Sequence, residues 1–305
     1  MRAVPAGAGR KERMEILKAI LFGVVEGITE WLPISSTGHM ILLNEFVKMN
    51  VSEEFWNVFL VVIQLGAILA VVLLYWKTIW PLETVRSNGG TKIVWKPETL
   101  NLWGKVIVAC IPAAIVGILL DDWLDEHFFN WKCVSLMLIL VGICFLIIET
   151  LQQWQKPVVT RLSDITYKDA LIIGIFQLIA AVFPGTSRSG ATILGGLIIG
   201  ISRTAASRFT FILAIPVMAG ASLLKLIKNG MNFTGTEWVI LLVGMFVAFV
   251  VSMLVIGMLM NYIRRHNFKV FGWYRIILGI IVVVFFLSKD LGKAAAMTAT
   301  VSMLP

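Results

Sequence analysis

Apolar stretches long enough to cross a lipid bilayer recur along nearly the whole chain: Phe55 to Tyr75, Leu102 to Leu120, Cys133 to Ile148, Trp238 to Met260 and Phe271 to Leu287. A hydrocarbon core about 30 Å thick takes roughly 20 apolar residues per helix. Hydrophobic residues make up 58% of the 305 residues and charged ones only 14%, so no single water-excluding core could hide so much apolar surface. The fold class read from this pattern is an all-α polytopic membrane protein, which excludes a soluble enzyme carrying a tail anchor. One integral membrane domain is expected over residues 14–288, with unstructured ends at 1–13 and 289–305.

The net charge of +8 could suggest nucleic acid, but Lys and Arg lie in the short connections between apolar runs, the pattern of membrane topology. No nucleic acid partner is expected. Cys110, Cys133 and Cys144 are odd in number and have no CxxC spacing, so neither a structural disulfide nor a zinc site is expected. Arg10, Lys11 and Arg13 precede an apolar run as in a signal peptide, but the run continues through Glu26 and Glu30 with no cleavage site, so it is read as retained.

Two segments align without gaps at a shift of 151 positions. The first runs from Gly23 through Glu26, Glu30, Pro33 and Ser36 to His39; the second runs from Gly174 through Gln177, Ala181, Pro184 and Ser187 to Gly190. Each copy breaks at a proline followed by hydroxyl residues and glycine, then resumes with a short apolar run. A repeat at about half the chain length suggests duplication, with halves at about 14–153 and 165–288. Neither side of a break is read as long enough to cross alone, which predicts broken or re-entrant helices lining a protein cavity.

Full spans are predicted at about 55–77, 103–121 and 132–153, then at about 204–227, 237–261 and 270–288. Three is odd, so the second half enters the membrane inverted: each half is one broken helical hairpin plus three transmembrane helices. Hydropathy also admits a count in which some short segments cross. The basic loops at 77–105, 154–168 and 262–269 read as cytoplasmic and the acidic 121–127 loop as exterior, which puts both termini outside.

Ionisable groups inside a membrane segment are costly, so Glu26 and Glu30, one helical turn apart, need a partner or a wet cavity. They could bind a divalent cation, Mg²⁺ or Ca²⁺; one could act as a base; or both could serve helix packing. Ser35, Ser36, Thr37 and His39 gather hydroxyls and an imidazole at the first break, either to cap the next half-helix or to supply a nucleophile with a proton carrier. At the second break Gly185, Ser187, Arg188, Ser189 and Thr192 read as a phosphate cradle, with Arg188 neutralising a glutamate as the other reading. The spacing of a Walker loop is missing. Gln64 and Gln177 are further polar groups for the cavity, Gln64 reading equally as a polar contact between helices, while Arg203 and Arg208 are read as interfacial snorkelling residues.

The strings EGITEWLPISSTGH and PGTSRSGAT, with VVIQLGAILAVV and ISRTAASRFTFILAIP, resemble the bacterial undecaprenyl-pyrophosphate phosphatase family associated with bacitracin resistance, over about residues 15–288. The resemblance implies hydrolysis of the C55 polyprenyl diphosphate to the monophosphate, recycling the lipid carrier of peptidoglycan synthesis. It implies a divalent cation and a site open to the periplasmic or outer face of the bacterial inner membrane. Glu26 and Glu30 match the acidic motif, Ser36 and His39 the catalytic stretch, and Ser187, Arg188, Ser189 and Thr192 the phosphate-binding motif. Expected partners are the polyprenyl diphosphate and the bilayer, and a homodimer is compatible with the sequence. Ser36, His39 or a metal-bound water could be the nucleophile. The rival reading is a polyprenyl-phosphate or anion transporter, since inverted repeats with broken helices are transporter architecture.

Overall fold

The computed structural model describes residues 8–87, 90–152, 155–230 and 232–302. Its elements in chain order are α1 (Ala8–Thr29), α2 (Ser36–Phe46), α3 (Glu53–Leu74), α4 (Trp76–Ile79), β1 (Leu82–Ser87), β2 (Gly90–Trp95), α5 (Pro97–Phe128) and α6 (Trp131–Gln152). Then come α7 (Tyr167–Val182), α8 (Arg188–Ile198), α9 (Arg203–Asn229), α10 (Gly235–Ile263) and α11 (Lys269–Ser302). Six of these, α3, α5, α6, α9, α10 and α11, are long and apolar enough to cross a membrane, at the places the hydropathy predicts. The protein is an all-α polytopic membrane protein whose outward faces carry exposed Ile107, Ile118, Leu119, Phe246, Leu254 and Met258, a surface suited to hydrocarbon rather than water.

Helix packing relates the two halves. α1 lies against α10, and α7 lies against α5. Gly23 and Gly174, matched by the 151-residue shift, make the same kind of contact: an added Cβ would fall 2.6 Å from the Gly244 carbonyl oxygen in the first case and 2.5 Å from that of Ala109 in the second. Only glycine lets the backbones approach so closely. α3 packs on α9 and α10, and α6 on α11, so helices from both halves surround the breaks.

Four details differ from the sequence reading. α1 has 22 residues, so the first broken unit is not short; its first turns are polar, and Glu12 accepts a hydrogen bond from Thr236 Oγ1 at 3.0 Å. Residues 8–13 are therefore already helical, and residues 1–7 of the expected loose end lie outside the described ones. The other expected loose end, 289–302, continues α11, where alanine-rich sequence favours helix and Lys289 pairs with Glu45. The basic 77–105 connection is not only loop: β1 and β2 pair antiparallel with Thr84 opposite Ile93, a hairpin built on β-branched residues. Finally, Arg203 is no simple snorkelling residue, because it pairs with the fully buried Glu149, which also accepts from the Phe268 amide at 2.9 Å.

Candidate functional site

Both breaks use the same backbone device. Ser35 and Ser187 take φ of 71° and 69°, a region that side chains rarely occupy, and each caps the half-helix that follows: Gly38 N–H donates to Ser35 Oγ at 3.4 Å and Gly190 N–H to Ser187 Oγ at 3.2 Å. α2 and α8 then run for 11 residues each. Structural equivalence across the breaks is thus Ser35 with Ser187 and Ser36 with Arg188, one residue off the ungapped alignment. The extra residue lies in the second turn, where Gly185 at φ 92° passes so close to α6 that a Cβ would sit 2.5 Å from the Val134 carbonyl oxygen.

Strained backbone of this kind persists only when its surroundings hold it. Here the holder is Arg275 of α11, fully buried, whose guanidinium donates to the carbonyls of Pro33 at 3.2 Å, Gly185 at 2.8 Å and Thr186 at 2.9 Å, and to that of Met137 at 3.3 Å. One side chain therefore ties both breaks together. Ser189 adds a second tie, its hydroxyl donating to the Glu30 carbonyl at 3.0 Å.

The tied breaks bring opposite charges face to face. Arg188 Nη2 donates to Glu30 Oε1 at 3.0 Å, and its Nη1 to the Thr210 carbonyl at 3.0 Å. Ser36 Oγ donates to the other Glu30 oxygen, Oε2, at 2.8 Å. Glu30 is thus held between a cation and a hydroxyl in a cavity of about 630 Å³. Arg188 Nε stays buried with no partner, as does Glu26 Oε1 one turn before Glu30. The unpaired Arg188 donor, on the cavity wall, is suited to an anionic ligand, and the unpaired Glu26 acceptor, off that wall, to a cation or a proton.

The cavity wall holds Glu30, Ser36, Thr37, Gln64, Gln177, Gly185, Ser187 and Arg188 among the residues singled out from the sequence. Five others do not line it. Glu26 is buried behind Glu30, and Ser35 is the buried cap. Ser189 and Thr192 lie on the inward face of α8: Ser189 serves the Glu30 carbonyl, while the Thr192 hydroxyl donates to the Arg188 carbonyl at 2.9 Å and accepts from Thr210 at 2.9 Å. Ser189 thus touches the Glu30 carbonyl and Thr192 the Arg188 carbonyl, and neither is on the cavity wall where the sequence reading places the cradle.

His39 is also displaced from the expected role. Its Nδ1 lies 2.7 Å from the Ser35 carbonyl oxygen, which can only accept, so Nδ1 carries the proton. In the neutral ring Nε2 then accepts from the Tyr274 hydroxyl at 2.7 Å, with the two rings parallel within 8°. The group within reach of the Ser36 proton is therefore Glu30, not His39. The sequence reading missed Arg275, Tyr274, Thr210 and Glu149. Arg275 and Glu149 had a signal, as single charges in apolar helices; Tyr274 and Thr210 had none.

A family model described as "Bacitracin resistance protein BacA" matches residues 19–281. The chain is similar to undecaprenyl-diphosphatase of Desulfitobacterium hafniense, 59% identical over 278 residues, covering 91% of this chain and 98% of the relative. It is 61% identical over 276 residues to undecaprenyl-diphosphatase 1 of Clostridium acetobutylicum, covering 90% and 99%. With undecaprenyl-diphosphatase of Enterococcus faecalis it shares 55% over 271 residues, covering 89% and 97%.

Proposed function

The chain belongs to the bacitracin resistance protein BacA family, and we propose that it is an integral membrane phosphatase that hydrolyses undecaprenyl diphosphate to the monophosphate and inorganic phosphate. The observation that carries the chemistry is the Glu30 carboxylate held between Ser36 Oγ and Arg188. Glu30 takes the Ser36 proton as Oγ attacks the terminal phosphorus; the bond to the bridging oxygen breaks, and undecaprenyl monophosphate leaves. Water then cleaves the phosphoserine to free phosphate. Arg188, with Nε and its remaining N–H groups unspent on Glu30, binds the phosphate oxygens and meets the charge that builds on them.

A divalent cation, Mg²⁺ or Ca²⁺, would be held at the same site. Among the described residues no three His, Cys, Asp or Glu side chains gather around one point, so a fully protein-built cage is not on offer. Glu26, one turn from Glu30 and off the cavity wall, keeps one oxygen unpartnered, so the two carboxylates would supply part of an ion's shell and substrate phosphate oxygens and water the rest. When bound, the ion would neutralise phosphate charge. Glu26 and Glu30 would hold it.

The reading extends to topology. The two halves cross in opposite senses, with the basic loops in the cytoplasm of a bacterial inner membrane and the cavity opening at the acidic 121–127 end, toward the outer face. Leu124 of α5, which lies within that acidic stretch, is on the cavity wall and supports that direction. The rival transporter reading uses the same breaks, but a hydroxyl hydrogen-bonded to a carboxylate serves bond making and is not needed for passage.

Purified protein in detergent, with and without EDTA, should release phosphate from undecaprenyl diphosphate. Arg188→Ala and Glu30→Ala should lose that release, and a phosphoserine should be trapped at Ser36. A folded wild-type protein that binds the lipid but releases no phosphate would sink the enzyme and favour the transporter. Substantial turnover by Ser36→Ala would remove serine from the nucleophile's role.

A further inference from the structure

The cavity is longer than a diphosphate needs. From Glu30, Ser36 and Arg188 it continues between α5 and α9, where its wall includes Gly117 and Gly220. Most helix glycines here have a packing reason: a Cβ on Gly66 would lie 2.0 Å from the Met245 carbonyl oxygen, as at Gly23 and Gly174 above. Gly117 and Gly220 have none, since a Cβ at either position would meet nothing within 4 Å. Glycine inside a helix is less favourable than alanine. At these two positions the cost is offset by no close contact, and what glycine leaves behind is open cavity.

A further observation says what the opening is for. The wall ends in Ile118, Leu223 and Ile227, which are 71%, 59% and 71% exposed, so the cavity runs out onto the lipid-facing surface.

We propose that Gly117 and Gly220 are specificity-determining positions that keep open the passage by which the isoprenoid tail of the substrate leaves the phosphate site for the bilayer. This rests on the phosphatase reading and adds the tail's path to it. The occupant is the substrate's own tail, because the passage is continuous with the Arg188 end where the diphosphate binds. Its wall there is mostly apolar and supplies hydrophobic contact, with Lys225 the one charged residue among Leu223, Leu224 and Ile227. A side chain at either glycine narrows the passage and leaves Glu30, Ser36 and Arg188 untouched.

The test uses full-length protein in detergent with Gly117→Leu, Gly220→Leu and the two alanine variants, assayed for phosphate release from undecaprenyl diphosphate and for thermal unfolding. Each leucine variant should raise KM at least tenfold with kcat within twofold of wild type, alanine should have a smaller effect, and no Tm should fall, since both replacements favour helix. An unchanged KM in a folded leucine variant overturns the proposal, as does a loss of kcat at unchanged KM. If wild type itself releases no phosphate, the phosphatase reading fails separately. The passage is then judged by native mass spectrometry of retained undecaprenyl diphosphate: retention by the leucine variants equal to wild type overturns it, and lowered retention supports it.

Discussion

At the first break Ser35 turns the chain at φ 71° and presents Ser36 as the opening residue of α2; at the second, Ser187 turns it at φ 69° and presents Arg188 as the opening residue of α8. The backbone is the same and the exposed chemistry is not. The first break offers a hydroxyl beside two carboxylates, the second a guanidinium with a partnerless N–H. A duplicated turn fixes where a side chain will stand, and the residue placed there decides what it does. Because each break supplies only half of the charge balance, neither would be stable or useful alone: Glu30 without Arg188 is an unpaired buried anion.

The largest expected effect comes from removing one half of that balance. Arg188→Ala should lower kcat by about 10³-fold and, by leaving Glu30 buried without its cation, cost about 3–5 kcal/mol of stability. Arg188→Lys should recover part of both, since it keeps the charge but not the planar fork. Phosphate release and thermal unfolding in detergent check this, and a folded Arg188→Ala protein with wild-type turnover would break the division of labour between the breaks.

Next is the residue that joins them. Arg275→Met leaves the Pro33, Gly185 and Thr186 carbonyls without their donor, at about 1–3 kcal/mol for each that stays buried and unsatisfied, so a marked fall in Tm is expected together with a loss of kcat. Arg275→Lys should rescue only partly, because one ammonium cannot span both breaks. Wild-type Tm in Arg275→Met would show that the breaks are held independently.

A smaller effect concerns a support that the first break has and the second lacks. His39→Ala and Tyr274→Phe act on one hydrogen bond, so the double variant should be less destabilised than the sum of the singles by about 1 kcal/mol. Additive losses in thermal unfolding would detach Tyr274 from the first break.

The smallest effect sharpens the backbone comparison itself. Ser35→Gly and Ser187→Gly each lose a cap but relieve a positive φ, so both should stay within about 1 kcal/mol of wild type and close to each other. Ser→Ala, which loses the cap and keeps the strain, should cost more at both sites. Unequal glycine effects would mean that the two turns are alike in shape only.

Much of the site was legible because charge in an apolar run is conspicuous. Glu26, Glu30 and Arg188 stand out against hydrophobic neighbours, and the two prolines mark where helix must stop. Less legible was which side of each half-helix faces the cavity. Ser189 and Thr192 look from the sequence like the same kind of ligand as Ser187, yet the winding of α8 turns them to other faces, against the Glu30 carbonyl just past α1 and against Thr210 of α9. His39 reads as the natural base for Ser36 because it is near in sequence, whereas in space its ring nitrogens are taken by Ser35 and Tyr274, a residue 235 positions away.

The sequence by itself determined that the chain is a bundle of membrane-spanning helices, broken twice by repeated turns that concentrate acid, hydroxyl and guanidinium groups, because apolar length, proline and intramembrane charge are local properties that no packing can disguise. Only the tertiary structure decided that Arg275 clamps both turns, that Ser36 meets Glu30 rather than His39, and that two glycines on different helices border one passage. Those facts depend on distances between residues far apart in the chain, and such distances are set by how the helices pack.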